Sequence, residues 1–280
     1  MQQKSILITG CSTGIGRCLA TGLHARGYRV FASVKQGKDV SALHAAGLES
    51  LVLDLRSPDS IRAAVDDVLA RTGGQLYALI NNGAYGQPGA VEDLTRAALR
   101  LQFETNLFGT QELTNRVLPV MRRQNEGRII QISSLLGIVC MGYRGAYNAS
   151  KFALEALSDT MRLELRGTDI HIALVEPGPI TSHFRDNAFE AYKLHIDKTR
   201  SAHRDYYERV ERRLGGTKPL PFTLPPEAVL AKVIHALEAR QPKLRYPVTL
   251  PSHLFTWLRR LLPGRMLDRI MAKVSNSGQR

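Results

Sequence analysis

Seven short apolar runs, at 5–9, 29–34, 50–54, 76–80, 128–132, 170–175 and 244–249, recur along the chain, and most are separated by stretches with apolar residues at helical spacing. Runs this short, bounded by turn formers, predict strands, and the 3.6-residue period between them predicts amphipathic helices. Strands joined by helical crossovers lie parallel, because the crossover returns the chain to the end of the sheet where the previous strand began. The pattern therefore predicts an α/β fold, a doubly wound parallel sheet of about seven strands with helices on both faces. Two long helices are expected, from Thr95 to Met121 and from Tyr147 to Leu165. No linker composition interrupts the 280 residues, so a single domain spanning 1–280 is expected, large enough to bury a full core.

The first run leads at once into Gly10-Cys11-Ser12-Thr13-Gly14-Ile15-Gly16 and then into a helical pattern through Leu19, Ala20 and Leu23. Strand, glycine turn and helix start, in that order, are the context of a Rossmann-type dinucleotide site. Gly10 makes the tight turn, Gly14 lets backbone approach a pyrophosphate, and Gly16 permits close helix packing. The helix N-terminus offers its free N–H groups to the anion. A second constellation follows: Ser134, then Tyr147 thirteen residues on, then Lys151. A phenol, with an ordinary pKa of about 10, needs a nearby cation if it is to move protons at neutral pH. On a helix, a lysine four residues later falls on the same face, about 6 Å along the axis.

Thr9-Gly10-x-x-x-Gly14-x-Gly16 together with Ser134, Tyr147 and Lys151 resembles the classical short-chain dehydrogenase/reductase family, motif by motif over residues 4–182 and more loosely beyond. The resemblance implies hydride transfer between a nicotinamide and a carbonyl or alcohol. Tyr147 would be the general acid/base, Lys151 would lower its pKa and bind the nicotinamide ribose, and Ser134 would hold the carbonyl oxygen. Ser133 is the rival for the serine role. The thirteen-residue offset favours Ser134 and leaves Ser133 as a neighbour on the cofactor side. Asn106 matches the helix asparagine that supports a proton-relay water. On the cofactor side the resemblance adds Ser12, Thr13 and Ile15 of the glycine turn, and Asp54, the carboxylate facing the adenine, with Leu55 after it. Asn81-Asn82-Gly83-Ala84 matches the Asn-Asn-Ala-Gly turn with its last two residues exchanged. Pro177-Gly178-Pro179-Ile180 matches the turn that meets the nicotinamide carboxamide. Ser182 falls at the hydroxyl position that follows, where Thr181 can substitute for it.

Cofactor choice is readable at the end of the second strand, where enzymes using NAD usually place an acid on the ribose hydroxyls. This chain has Val34 there, followed by Lys35 where NADP-dependent members commonly carry arginine, so NADP(H) is expected and NAD(H) stays open. The variable substrate lid of the family falls at 183–225 and carries Phe184, Phe189, Tyr192, Tyr206 and Tyr207. Cys140, Met141 and Tyr143 are expected to line the same pocket. Such a lining suits a small hydrophobic carbonyl or alcohol. The Thr-Gly-Cys-Ser turn, Arg-Gly-Ala-Tyr147, Val175-Glu176-Pro177 and Arg245-Tyr246-Pro247 look similar to the hydroxysteroid and retinol dehydrogenase branch and its bacterial aldehyde-reductase relatives. Resemblance also implies a homodimer or homotetramer paired through the two long helices. Two competing functions are a 3-oxoacyl-carrier-protein-type reductase, which the extension to Arg280 and the long lid disfavour, and a non-catalytic nucleotide sensor, which the retained Ser134, Tyr147, Lys151 and Asn106 disfavour.

Composition changes this picture in one place. Cys11, Cys18 and Cys140 form no paired framework and no metal-ligand spacing, so no metal and a reducing compartment are expected. The absence of a signal-like leader and of a long apolar run makes the cytoplasm the expected location. The net charge of +13 raises nucleic acid as a partner, but its distribution points elsewhere: residues 183–280 hold 19 basic and 9 acidic side chains. The excess gathers in a basic amphipathic extension at 251–280, where Leu254, Phe255, Trp257, Leu258, Leu261 and Leu262 form an apolar helical face. Arg259, Arg260, Arg265 and Arg269 lie beside it, with Asp268 the only acid. Such a segment can pack on protein, which is the expected outcome, or make weak peripheral contact with an anionic membrane.

Overall fold

The seven runs become seven strands: β1 (Ser5–Ile8), β2 (Arg29–Val34), β3 (Glu49–Val52), β4 (Ala78–Asn81), β5 (Gly127–Ile132), β6 (Ile170–Glu176) and β7 (Arg245–Pro247). They form one parallel sheet in the order β3-β2-β1-β4-β5-β6-β7. The computed structural model describes residues 3–214 and 221–277. Eleven α-helices lie among them: α1 (Gly14–Ala25), α2 (Val40–His44), α3 (Pro58–Thr72), α4 (Arg96–Phe103), α5 (Gly109–Gln124), α6 (Gly145–Glu164), α7 (Phe184–His195), α8 (Arg204–Leu214), α9 (Glu227–Glu238), α10 (Leu250–Leu261) and α11 (Gly264–Ser277).

The strands read as continuous apolar runs because both faces of the sheet are covered. Ile6 and Ile8 of β1 pack with Leu19 and Leu23 of α1 and Val229 and Val233 of α9. Leu7, between them, faces the other layer, with Val65 of α3, Leu113 and Val117 of α5 and Met161 of α6. The strand order reverses at β1, which lies between β2 and β4. That reversal opens a crevice at the carboxyl ends of the strands, where ligands bind in sheets of this kind.

Two expected helices differ in detail. The stretch from Thr95 to Met121 is not one regular helix: after α4, which Thr95 caps by accepting from the Ala98 N–H at 3.1 Å, a π-helical turn spans Glu104–Phe108 before α5 begins. A Cβ at Gly109 would lie 1.8 Å from the Leu55 carbonyl oxygen, so the helix passes that close only because it has glycine there. The wide turn holds Asn106 buried, and turns of this type recur at functional sites. The amphipathic segment near the C-terminus is also broken, at Leu262-Pro263, into α10 and α11.

The lid begins and ends against the crevice. A short parallel bridge joins Ile180 to Leu224, with the Thr181 N–H donating to the Leu224 carbonyl at 3.0 Å and the Leu224 N–H to the Pro179 carbonyl at 3.1 Å. Between these ends α7 and α8 bury Tyr192, Ile196 and Tyr207 against Ala90, Leu94 and Ala146.

Candidate active site

The glycine turn sits at the carboxyl end of β1 with Gly10 at φ +72° and Gly14 at φ +56°, the left-handed region that glycine enters without strain. A Cβ at Gly16 would lie 2.1 Å from the Gly10 carbonyl oxygen, so the start of α1 and the turn touch backbone to backbone. Asn82 fastens this arrangement. Its side-chain amide donates to the Thr9 and Gly10 carbonyls at 2.9 and 3.1 Å, and Thr9 Oγ1 accepts from the Asn82 and Gly83 N–H groups at 2.9 and 2.8 Å. Ser12 and Thr13 stand exposed and Ile15 half-buried along the same turn. Of the Asn81-Asn82 pair, only Asn82 reaches the turn: Asn81 instead donates to Thr114 on α5 at 2.9 Å and is buried there. Cys11 is a filler. Its thiol bonds the Ile8 carbonyl, and burial pushes its pKa up to about 12.

The opposite wall comes from distant chain. Ser182 lies across from the turn, since a Cβ on Gly14 would meet the Ser182 Cβ at 2.9 Å; Thr181 faces solvent, so of the two hydroxyls Ser182 is the one in the crevice. Gly178, beside Pro177, is pressed against Thr249 at the start of α10, where a Cβ would come within 2.1 Å of Thr249 Oγ1. Ile180 belongs to the bridge that closes the lid. At the far side of β1, Asp54 follows β3. Burial alone would raise its pKa, but hydrogen bonds and charge from Arg56, helped by the Lys35 charge, hold its carboxyl below the usual range. Leu55 is buried next to Gly83. Lys35 is exposed just past β2, whereas Val34 points into the core layer, so an acid at 34 would be buried among apolar side chains rather than offered to a ribose. Arg17, on the first turn of α1, reaches the Ala42 carbonyl at 3.2 Å and is a second cation on this edge. Its place directly after Gly16 is the one sign of it in the sequence.

Ser134, Tyr147 and Lys151 come together where the chain leaves β5 and enters α6. Ser134 ends the turn after β5 and accepts from the Leu136 N–H at 3.0 Å; Tyr147 and Lys151 stand one turn apart near the start of α6. All three are buried. Burial pushes the Tyr147 phenol up to about 12, while the neighbouring Ser134 hydroxyl and the Arg144 charge pull the other way. The Lys151 ammonium donates to the Ile132 carbonyl at 2.7 Å and lies 5.8 Å from the centre of the Tyr147 ring. Burial lowers its pKa to about 8, and the Glu155 carboxylate opposes that fall. Asn106, in the π-helical turn, accepts from the Tyr85 N–H at 3.1 Å and donates to the Tyr85 carbonyl and the Ser150 hydroxyl at 2.9 and 3.1 Å. It thus ties the loop after β4 to the helix that carries Tyr147.

Three expectations change. Ser133 faces Glu155 and Gly137 rather than the cofactor side. Of the lid aromatics, Phe184 reaches the phenol, its ring centre 5.3 Å from that of Tyr147, while Tyr192 and Tyr207 are spent on the lid's own core. Cys140 and Met141 turn away toward the C-terminal helices: Met141 packs there, and the Cys140 thiol, raised by burial, feels the charges of Arg259 and Asp268.

A half-buried cluster of three carboxyl groups around one arginine stands directly behind the site, and no spacing in the chain announces it. Arg245 of β7 meets Glu155 at 3.1 Å, Asp159 at 2.6 Å and Glu176 at 3.2 Å. Glu155 continues the helical ladder Tyr147, Lys151, Glu155, Asp159, so the cluster shares a face with Tyr147 and Lys151. A cleft of about 550 Å³ at the opposite end of the sheet, between Lys4, Arg29, Tyr77 and Glu126, contains none of these residues.

The family model for short chain dehydrogenases matches residues 4–193. The uncharacterized oxidoreductase YbbO of Escherichia coli is 42% identical over 271 residues, covering 97% of this chain and 95% of that protein. The NADPH-dependent 3-dehydrocapnine reductase of Ornithobacterium rhinotracheale is 30% identical over 275 residues, covering 95% of each. Among solved structures, a short-chain dehydrogenase from Streptomyces avermitilis superposes with a TM-score of 0.78 at 27% identity, covering 99% of this chain and 96% of its own.

Proposed function

This chain belongs to the short-chain dehydrogenase family, and on that premise we propose that it is a carbonyl reductase that uses NADP(H) to reduce hydrophobic aldehydes or ketones, the reverse oxidation running through the same groups. The bare glycine turn suits the cofactor: a Cβ at Gly10 or Gly16 would strike backbone, and the N-terminus of α1 opens on the crevice, as a pyrophosphate requires. A nicotinamide held there supplies the hydride. Pro177, Gly178, Ile180 and Ser182 form the wall on its carboxamide side, and Lys151 serves its ribose. Asp54 and Leu55 lie on the adenine side. Lys35, seconded by Arg17, is placed for a 2′-phosphate, with no acid to repel it; the NADPH dependence of the Ornithobacterium relative supports the same choice.

Tyr147 gives its proton to the carbonyl oxygen as the carbon accepts hydride, so that the alcohol forms without a free alkoxide. Ser134 holds that oxygen against the phenol and shares its developing charge. Lys151, charged below about pH 8, is the cation that favours the phenolate left behind. Asn106 positions the loop and helix on either side. Phe184 over Tyr147 makes the substrate's wall apolar, which is the basis for a hydrophobic carbonyl. Ser134, Tyr147 and Lys151 buried together, with the Lys151 ammonium 5.8 Å from the centre of the Tyr147 ring, is the observation that carries the assignment. Self-association is placed on the outer faces around α5 and α6, where Phe108, Leu157 and Leu163 are exposed.

NADPH consumption against a panel of retinoids, steroids, medium-chain aldehydes and acyl thioesters tests the proposal. Turnover of apolar aldehydes or ketones is expected; turnover confined to acyl thioesters identifies the carrier-protein type of reductase, and NADPH binding with no turnover of any compound leaves the nucleotide sensor.

A further inference from the structure

The C-terminal segment left two readings, packing on protein or contact with a membrane, and the two helices it forms divide these between their faces. On the inner side Phe255 and Met271 are buried, and Leu258, Leu267, Ile270 and Val274 pack with them against Leu135, Ile138, Val139 and Met141. Arg259 bonds the Ile138 carbonyl, and the Gly142 N–H donates to the Ser275 hydroxyl at 3.2 Å. Packing within the chain is therefore already satisfied. On the outer side of α10, Leu250, Leu254, Trp257 and Leu261 are 61%, 50%, 60% and 71% exposed. Their spacing of four, three and four residues keeps them in one narrow stripe along the helix. Met266, at the start of α11, is exposed as well.

A stripe of large apolar side chains facing water marks an interaction surface. The charges beside it select the partner. Arg260 lies over the Trp257 ring at 6.0 Å, and α11 exposes Arg265, Arg269 and Lys273 against the single acid Asp268. A second copy meeting this face across a two-fold axis would bring the arginines against their own counterparts. An anionic bilayer satisfies both features at once: apolar side chains enter the acyl boundary, arginines stay among headgroup phosphates, and a tryptophan ring sits between. We propose that the outer face of α10 and α11 docks the protein peripherally on an anionic lipid surface.

The position of this face gives docking a purpose. The inner side of the helix pair packs on the segment that directly follows Ser134, and Thr249, which caps α10, abuts Gly178 of the crevice wall. Docking on this face therefore places the catalytic crevice close to the bilayer, where a hydrophobic carbonyl is concentrated. That benefit rests on the proposed reductase activity; the docking itself does not.

Trp257 is the only tryptophan in the chain, so its emission reports on this stripe alone. The full-length protein is titrated with phosphatidylglycerol–phosphatidylcholine vesicles and, in parallel, with pure phosphatidylcholine vesicles. A blue shift, quenching by brominated acyl chains, and co-sedimentation are expected with the anionic vesicles at low salt, and all should weaken as salt rises. The pair Arg265→Gln and Arg269→Gln should lower affinity about 25-fold, each basic residue near a charged surface contributing about fivefold. The pair Leu254→Ser and Leu261→Ser should remove the blue shift while leaving the melting temperature unchanged. No shift and no pelleting at low salt overturns the proposal. So does equal binding to neutral vesicles, or a shift that appears with protein concentration alone, which would identify a second copy as the occupant. None of these readouts needs turnover, so a failed substrate panel leaves the test intact.

Discussion

Glu176 gives the account a thermodynamic test. It ends β6, is fully buried, and neither carboxylate oxygen has a well-formed hydrogen bond, although Arg245 stands 3.2 Å away. Burial and the neighbouring Glu155 charge push its pKa from 4.5 up to about 8, against the pull of Arg245. In the unfolded chain the group ionises near 4.5, so between that pH and about 8 the native state holds a proton the unfolded state has lost. Stability therefore falls as pH rises through this window, the sign that follows when the native state binds more protons. From pH 6 to pH 9 the loss is about 3 kcal/mol, or about 5 °C in Tm for a chain of 280 residues. Glu176→Gln keeps the shape and removes the titration. Thermal melts of both proteins at pH 6, 7.5 and 9 should show the wild type losing about 5 °C more than the variant, with the variant the more stable at pH 9. Parallel curves, or a variant less stable at pH 9, would refute the claim that Glu176 is held protonated in the native protein.

The same cluster bears on catalysis: Glu155→Gln removes the carboxylate that keeps the Lys151 pKa up, so the alkaline limb of the kcat/KM profile should move to lower pH, and an unmoved limb would leave Glu155 with a structural part only. Lys35→Ala should weaken NADPH by about tenfold and NADH little, since only the former brings a phosphate to that edge. Equal weakening in fluorescence titrations of the two cofactors would remove Lys35 as the phosphate's reader.

What the sequence disclosed was local. Gly10, Gly14 and Gly16 announce their turn because each spacing is short and the strand and helix flank it directly, and Tyr147 and Lys151 meet because one helical turn brings them together. Contacts between distant segments were hidden. Glu155, Glu176 and Arg245 are separated in the chain and joined only when β6 and β7 pair beside α6. Asn81 and Asn82 are adjacent, yet strand alternation sends one toward α5 and the other to the glycine turn. Cys140 and Met141 lie between Ser134 and Tyr147 in sequence, but Tyr143, at φ +59°, turns the chain between them and the helix, and they face α10 and α11 instead. The π-helical turn that interrupts the helix after Phe103 left no break in the apolar period.

The central claim is that Tyr147 donates the proton. Tyr147→Phe deletes one oxygen and leaves Lys151, Ser134 and the glycine turn in place. With an aldehyde that the wild type reduces, kcat should fall by about 10²–10⁴-fold while NADPH affinity and Tm stay unchanged. A kcat close to the wild-type value in this variant would contradict the account.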